Sequence, residues 1–323
     1  MDAIHSIKQV IGDELAIFEK KFTESVKGSN PLLDRILRFI IRRKGKQMRP
    51  MFVFLAAKIS GEINEPVFRA ASLIELLHTA TLVHDDVVDN SMIRRNFFSI
   101  NALWKNKIAV LVGDYMLSKG LLLALEHDDY RILKITSRAV KEMSEGELLQ
   151  MEKARKLDIK EEIYFEIIRA KTASLLSAAC SAGAYAATND EEVAEHFRLF
   201  GEKVGIAFQI KDDLFDYSSD NIGKPTGIDI KEKKMTLPLI YTLQHADAKV
   251  KRNIIYIIKN QNTNRQKVNE VIEYVKSSGG IEYAQRKMEE YKKDAMQMLY
   301  KYPETPQRRA MEELVNYVIG RQY

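Results

Sequence analysis

The stretch His84-Asp85-Asp86-Val87-Val88-Asp89 places three carboxylates at positions i, i+1 and i+4. On a helix, residues i and i+4 share one face and lie about 6 Å apart along the axis. Residues 70–78 upstream contain no Gly or Pro, so we expect a helix that ends here with Asp85 and Asp89 projecting together. Clustered acids repel one another unless a cation neutralises them, and a few oxygen ligands suit a Mg²⁺ ion that also binds phosphate. A solvated acidic helix end is the alternative for one such cluster.

The same carboxylate spacing occurs a second time, in Asp212-Asp213-Leu214-Phe215-Asp216, and again it follows a mostly apolar run, residues 204–210. Two apolar helices that end in the same triple carboxylate suggest one cavity with metal sites on opposing walls. A pair of EF-hand loops would need ligands spread over about twelve residues around a central Gly. The sequence lacks that pattern.

The composition narrows the class of protein. The 323 residues contain no linker rich in Pro, Gly or Ser, and helical spacing of apolar residues dominates over strand alternation, so we expect one all-helical domain over residues 1–323. The single Cys180 lies among small residues and cannot form an internal disulfide, which fits a reducing compartment. The N-terminus has no signal pattern, and we expect no apolar run to reach the length of a membrane span, so we expect a cytoplasmic protein.

Positive charge is concentrated in two segments, although the net charge of +5 is modest. Residues 42–49 form the first basic segment, and residues 224–234 form the second, beside an acidic cluster. A cation-rich loop there is typical of a lid over a metal-bound anion, and a plain charged surface loop is the alternative. Nucleic acid is not expected as a partner, because interleaved aromatic residues and a known binding motif are missing.

Other stretches leave two interpretations open. Lys171 lies among small and apolar residues, where it is either a buried cation aimed at phosphate or a long side chain that reaches to solvent. Residues 2–27 have apolar residues at helical spacing and predict an amphipathic helix for packing or dimerisation. In the helix predicted from Tyr130 to Arg155, we expect some acidic side chains on the solvent-exposed face and others at the rim of a cavity.

A series of short motifs resembles the family of all-trans polyprenyl diphosphate synthases, in particular its long-chain type such as octaprenyl diphosphate synthase. The resemblance extends from Gly45 to about Leu243. The motifs are Gly45-Lys46-Gln47-Met48-Arg49-Pro50, His78, Asp85 to Asp89 followed by Arg94-Arg95, Lys171-Thr172, Phe208-Gln209, Asp212 to Asp216, and Lys234-Met235-Thr236-Leu237-Pro238. Each motif alone is short, but the set in this order is highly specific.

The resemblance implies an all-α fold, a single large bundle of long helices around a deep central cavity, usually in a homodimer. The implied reaction is the head-to-tail condensation of isopentenyl diphosphate with an allylic diphosphate primer, with three Mg²⁺ ions per active site. A geranylgeranyl or farnesyl diphosphate synthase with a shorter product is one alternative, and a regulatory subunit of a heteromeric synthase is another. Contact with a membrane is expected to be at most peripheral, for product release.

The resemblance also implies roles for the matched residues. Mg²⁺ would be held by Asp85, Asp89 and Asp212, with Asp86, Asp213 and Asp216 completing the two clusters. The allylic diphosphate would be bound by Arg94, Lys171, Lys224 and Lys234, and the diphosphate of isopentenyl diphosphate by Lys46, Arg49, His78 and Arg95. Thr172 and Gln209 would lie near the developing carbocation and form the catalytic group together with Lys171 and Lys234. The departing diphosphate is expected to take the proton, so no nucleophile or general base is named.

Three features bear on specificity. Lys44 and Asn96 stand where the family usually has Gly, which affects loop shape and removes no charged ligand. A terpene cyclase shares the metal chemistry but does not need a second basic diphosphate site. Ala80 and Thr81, five and four residues before Asp85, are small, whereas short-chain members of the family close the cavity near this level with an aromatic residue. We therefore expect a product of six or more isoprene units.

Overall fold

Helices account for nearly all of the described structure, with one two-stranded hairpin. The computed structural model describes residues 3–43, 45–94, 97–157, 160–217 and 227–320. The helices are α1 (Ala3–Ser25), α2 (Pro31–Arg42), α3 (Met48–Ser60), α4 (Glu65–Val88), α5 (Ile100–Leu125), α6 (Tyr130–Lys156), α7 (Glu161–Ile168), a π-helical turn (Arg169–Ala173), α8 (Ser174–Thr188), α9 (Glu191–Phe215), α10 (Ile228–Lys231), α11 (Leu237–His245), α12 (Ala248–Asn260), α13 (Arg265–Ser277), α14 (Gly280–Leu299) and α15 (Pro306–Ile319). Strands β1 (Ile93–Arg94) and β2 (Phe97–Phe98) pair antiparallel.

The chain forms two compact units. Unit 1 comprises Met1–Val140, Leu175–Leu199 and Tyr302–Leu314. Unit 2 comprises Lys141–Ser174, Phe200–Lys301 and Val315–Tyr323. The prediction of a single domain over the whole chain stays a prediction.

Helix α4 carries the first acidic cluster and is fixed at both ends. Asn64 caps its N-terminus, because the Asn64 side-chain oxygen accepts a hydrogen bond from the backbone N–H of Val67 at 3.1 Å. At the other end the backbone N–H of Asp89 donates to the carbonyl of Asp85 at 2.8 Å. The helix therefore ends at the cluster, as the sequence predicts.

Close packing in unit 1 surrounds α4. Gly113 of α5 lies so near the ring of His84 that a Cβ at residue 113 would collide with it, so α4 and α5 approach closely. Helix α1 buries Ile11 and Phe18 completely, and the ring of Phe18 lies 5.9 Å from that of Phe54 in α3. Of the two roles left open for α1, packing within the unit is the one observed.

In unit 2 a single glycine brings together the segments that carry the second site. A Cβ at Gly205 of α9 would lie 2.5 Å from Cα of Ala173. The π-helical turn, which contains Lys171 and Thr172, therefore lies directly against α9, one turn before Gln209. Only a glycine at residue 205 permits this backbone approach.

Helix α5 corrects one expectation. By length and composition it is long and apolar enough to cross a membrane, although a core helix also passes this test, and 33% of its most apolar stretch is buried. The prediction that no apolar run reaches this length was wrong, because α5 continues through Gly113-Asp114 and Lys119-Gly120 and has its non-helical residue earlier, at Lys105. The prediction of an all-α fold is confirmed.

Candidate active site

The first acidic cluster contains carboxylates in different environments. Asp86 is buried and accepts a hydrogen bond from Nε of Arg94 at 2.7 Å, whereas Asp85 is half-buried and Asp89 is exposed. Burial raises the pKa of Asp86, and the neighbouring Arg94 opposes that rise. The side-chain amide of Asn101 donates to the backbone carbonyl of Asp86 at 3.2 Å. Arg94 thus anchors the middle carboxylate and Asn101 anchors the backbone of the same residue, while Asp85 and Asp89 stay at the surface of α4.

The basic residues predicted beside this cluster also lie in unit 1. Nη1 of Arg49 donates to Nε2 of His78 at 2.9 Å, which links the start of α3 to the middle of α4. Lys46 is exposed just before α3. His78, Asp86 and Arg94 line a cleft of ≈ 100 Å³ whose other walls are mainly apolar. The predicted ligand Arg95 and the departure positions Lys44 and Asn96 lie outside the described residues.

The second cluster, at the end of α9, repeats the arrangement of the first. Asp213 is buried and accepts hydrogen bonds from the hydroxyl of Tyr164 and the amide of Gln209, both at 2.8 Å. Asp212 is exposed. Burial raises the pKa of Asp213 to about 8, the charge of Asp229 adds to the rise, and the hydrogen bonds from Gln209 and Tyr164 oppose it. In both clusters the middle carboxylate is anchored and the first one remains accessible.

The side chain of Asp216 binds backbone N–H groups at the start of α10. Its two oxygens accept the backbone N–H groups of Ile228 at 2.8 Å and Asp229 at 3.1 Å, so it fixes the start of α10. Burial raises the pKa of Asp216, and these backbone donors oppose the rise. Residues 218–226, which include the predicted ligand Lys224, lie outside the described residues.

The catalytic residues predicted in unit 2 meet in one cleft. The hydroxyl of Thr172 donates to the side-chain oxygen of Gln209 at 2.7 Å. Lys171 is about one-third exposed, forms an ion pair with Glu147 and donates to Gln150 at 3.1 Å. Its ammonium is therefore neither fully buried nor unpaired. The cleft has a volume of ≈ 140 Å³ and is lined by Gln150, Tyr164, Ile167, Ile168, Lys171, Thr172, Gln209, Asp212, Asp213, Asp229, Lys234, Met235 and Thr236.

Lys234 lies on the same cleft, with two acidic neighbours. Its ammonium is 2.6 Å from a carboxylate oxygen of Glu232 and 3.9 Å from one of Asp229. Burial raises the pKa of Asp229 to about 6, and the neighbouring Asp216 adds to the rise. A diphosphate bound to Lys234 would therefore compete with these carboxylates.

Two polar lining residues of this cleft, Tyr164 and Asp229, were missed in the sequence, as were the apolar Ile167 and Ile168. Tyr164 lies seven residues before Lys171, a spacing of two helical turns that places both on one face and could have revealed it. Asp229 belongs to the loop noted for its cations, and its acidic side chain was not singled out. The sequence contains no signal that Tyr164 would anchor a carboxylate 49 residues away.

The carboxylates of the two clusters fit Mg²⁺ only as an ion that a substrate phosphate also binds. Within the described ranges, no three His, Cys, Asp or Glu side chains are grouped closely enough to hold a metal by themselves. Mg²⁺ keeps several waters and needs only one or two carboxylates when a substrate phosphate supplies further oxygens. Asp85, Asp89 and Asp212 could serve as such ligands, since their carboxylates are half-buried or exposed.

Comparison with known proteins identifies the family. The polyprenyl synthetase family model matches residues 30–275. This chain belongs to the polyprenyl synthetase family. A relative from Rhodobacter capsulatus, the all-trans-nonaprenyl-diphosphate synthase (geranyl-diphosphate specific), is 35% identical over 324 residues, which cover 99% of each chain.

Solved structures of the same fold cover almost the whole chain. A polyprenyl synthase from Caulobacter crescentus, complexed with calcium and isoprenyl diphosphate, has a TM-score of 0.90 at 30% identity and covers 99% of this chain and 98% of its own. A geranylgeranyl pyrophosphate synthase from Bacteroides thetaiotaomicron has a TM-score of 0.85 at 39% identity and covers 99% and 100%. The family member described here is thus an isoprenoid synthase in fold and a trans-prenyltransferase in activity, of a family that uses divalent metal ions.

Proposed function

We propose that this family member condenses isopentenyl diphosphate head-to-tail with an allylic diphosphate and releases a long all-trans polyprenyl diphosphate. The observation that carries the proposal is the repeated arrangement of the two acidic clusters. Each has a buried, hydrogen-bonded middle carboxylate, Asp86 or Asp213, and an accessible first carboxylate, Asp85 or Asp212. Two accessible carboxylates on anchored helix ends suit ions that are bound together with a diphosphate.

The metal ligands in this proposal are Asp85, Asp89 and Asp212, with three Mg²⁺ ions per active site. When bound, these ions would supply positive charge to the diphosphate group as it departs. Asp86 and Asp213 complete the clusters by fixing the helix ends. Asp216 completes the second cluster by fixing the start of α10. One domain over residues 1–323 and a cytoplasmic location belong to the same proposal.

The basic residues divide between the two substrates. Arg94, Lys171, Lys224 and Lys234 bind the allylic diphosphate, and Lys46, Arg49, His78 and Arg95 bind the diphosphate of isopentenyl diphosphate. The hydrogen bond from Arg49 fixes the ring of His78, so these two donors are oriented before substrate arrives. Such prepositioned charges stabilise charge that develops in a transition state.

The reaction then needs little further from the chain. The allylic C–O bond breaks, and the double bond of isopentenyl diphosphate attacks the allylic carbon to form a new C–C bond. The departing diphosphate takes the proton that is lost from the condensed product. Thr172 and Gln209, fixed to each other at 2.7 Å, place their dipoles beside the carbocation, and Gln209 is held in turn by Asp213.

Relatives and solved structures point to different product lengths. The Rhodobacter capsulatus relative is a nonaprenyl diphosphate synthase, and Ala80 and Thr81 are small, so no bulky side chain at these two positions would block a long tail. The Bacteroides thetaiotaomicron structure, 39% identical, is a geranylgeranyl pyrophosphate synthase and makes the C20 product the second candidate. One assay separates them: purified protein is incubated with Mg²⁺, farnesyl diphosphate and isopentenyl diphosphate, and the lipids are analysed by mass spectrometry.

Each result of that assay has a clear meaning. Products of six or more isoprene units support the proposal, and a product that stops at C20 selects the shorter synthase. A cyclic hydrocarbon would indicate a terpene cyclase. Absence of any product from folded protein would indicate a regulatory subunit and would overturn the proposal.

A homodimer through α5 completes the proposal. Five exposed apolar residues from residue 110 onward in α5 lie at helical spacing along one face: Val110, Leu111, Leu121, Leu122 and Leu125. Leu111 is 66% exposed, and an apolar stripe of this length on an exposed helix is typical of a protein interface. Leu111→Glu combined with Leu122→Glu should therefore convert the dimer to monomer in analytical ultracentrifugation, and an unchanged sedimentation coefficient would place the interface elsewhere.

A further inference from the structure

Unit 1 has an arginine-rich surface that the reaction does not use. A groove of ≈ 550 Å³ is lined by Arg35, Arg38, Phe39, Arg42, Arg43, Leu103 and Trp104. We call this the arginine–aromatic groove. Four of these seven lining residues are arginines and none is acidic. Arg38 is paired with Asp34, one turn earlier in α2, so the other three arginines give the groove its positive charge.

Arg43 contacts two aromatic rings at this surface. The guanidinium of Arg43 lies 3.6 Å from the ring centre of Phe39 and 4.3 Å from that of Phe97 in β2. The ring of Phe39 meets that of Trp104 edge-on at 4.9 Å. These cation–π and edge-on aromatic contacts join α2, the start of α5 and the hairpin β1–β2 into one surface.

The hairpin adds exposed apolar side chains to this surface. Met92, Ile93 and Phe98 are 61%, 65% and 62% exposed, although they are among the most apolar residues of the chain. Ile93 and Phe98 are paired across the hairpin. Large apolar side chains that project to solvent next to a cluster of cations are an unusual combination on a protein surface.

We propose that the arginine–aromatic groove and the hairpin dock on an anionic phospholipid bilayer. Arginines near a membrane surface are attracted to anionic headgroups, Trp is enriched at the headgroup level, and exposed aliphatic and aromatic side chains insert at the acyl boundary. Residues Arg35, Arg38 and Arg42 would contact headgroups, and Ile93 and Phe98 would insert. The inference rests on the proposed function, because a long polyprenyl product needs an apolar phase to receive it.

Other occupants fit this surface less well. A second copy of the chain, related by a two-fold axis, would set the four arginines of one groove against like charges on its partner. A nucleic acid would match the charge and stack on the rings, but it has no use for exposed Met92 and Ile93. The groove also adjoins the cleft that contains Asp86 and Arg94, since Phe39 and Arg43 line both. Docking here would bring a bilayer next to the site of synthesis.

The test is flotation of the full-length protein with vesicles. Wild type should float with vesicles of phosphatidylcholine and phosphatidylglycerol and stay in solution with pure phosphatidylcholine. The triple variant Arg35→Gln/Arg38→Gln/Arg42→Gln should bind the mixed vesicles about a hundredfold more weakly, at about fivefold for each cation lost. The matched control, Lys249→Gln/Lys251→Gln/Arg252→Gln, removes three exposed cations from the start of α12 and should keep wild-type binding.

Three results would overturn the proposal. These are wild-type protein that does not float, equal flotation with both vesicle types, and an equal loss in the triple variant and its control. Retained flotation of the triple variant, with lost binding to single-stranded RNA, would assign the groove to nucleic acid instead. Ile93→Ser should weaken vesicle binding most visibly at high salt, where the charge contribution is screened and binding depends on the inserted apolar side chains.

A parallel assay separates this inference from the proposed function. Incorporation of isopentenyl diphosphate is measured in detergent without vesicles, for wild type and for the triple variant. Normal incorporation by a wild type that binds no vesicles overturns the membrane surface and leaves the synthase. Absence of incorporation from folded wild type counts against the synthase, whatever the vesicles show.

Discussion

Ala80→Phe is the sharpest test of product length. Ala80 is fully buried in α4 and lies five residues before Asp85, about 7.5 Å along the helix at ~1.5 Å per residue. If the growing tail runs along α4 away from the acidic cluster, a phenyl ring at this level blocks it after the first isoprene units. We expect the variant to stay active and to make C15–C20 products in place of the wild-type product.

The stability cost follows from the same burial. A ring added at a site with no exposed surface has to displace its neighbours, which costs about 1–3 kcal/mol. Ala310→Phe in α15 is the matched control, because Ala310 is also buried in unit 1 and lies on another helix. It should lose comparable stability in urea unfolding and keep the wild-type product.

Mass spectrometry of the lipid products, run beside urea unfolding of each variant, gives the answer. Wild-type product from Ala80→Phe, with the same stability loss as the control, would refute the argument that the tail passes Ala80. Thr81→Phe then locates the tail. Thr81 is half-buried and lies one turn before Asp85 on the same face, so a ring there should shorten the product at a smaller cost in stability.

Three further outcomes are expected. Asp85→Ala or Asp212→Ala should lower turnover by orders of magnitude without changing the melting temperature, and near-normal incorporation of isopentenyl diphosphate would contradict the metal assignment. Arg95→Ala should mainly raise the KM for isopentenyl diphosphate and Lys234→Ala that for the allylic substrate, at about 1.5–3 kcal/mol per charge-assisted contact; equal effects on both substrates would argue against two separate sites. Tyr164→Phe leaves buried Asp213 with one donor fewer and should lower the free energy of unfolding by about 1–3 kcal/mol, which urea unfolding measures.

The helix ends that carry the acidic clusters could be predicted because their signal is local. Apolar spacing and an i, i+4 pair of carboxylates are visible within about ten residues, and α4 and α9 end at Val88 and Phe215. Family resemblance added the basic residues, whose short motifs are also local. For this reason the all-α fold and the prenyltransferase activity could be predicted from the sequence.

What the sequence could not reveal depends on partners far apart in the chain. Asp86 and Asp213 look like their neighbours in sequence, yet they are the buried members of their clusters because Arg94 and Tyr164 reach them from other elements. From the sequence, Glu147 could be placed only on a helix with some acids facing solvent and others at a cavity rim. Its pairing with Lys171 depends on the approach of separate segments of unit 2. Periodicity shows which face of a helix is polar, but not which polar group will meet it.

Two lysines that are proposed to bind the allylic diphosphate have carboxylate partners within the protein. Lys171 is paired with Glu147, and Lys234 with Glu232. An anionic substrate must therefore displace a glutamate to gain each lysine, and its own charge would be repelled by Asp212 unless a cation is present. Metal and diphosphate should consequently raise each other's affinity by the same factor, as thermodynamic linkage requires. The site is thereby expected to bind either ion alone only weakly, which matters in a cell where free phosphates and free Mg²⁺ are both abundant.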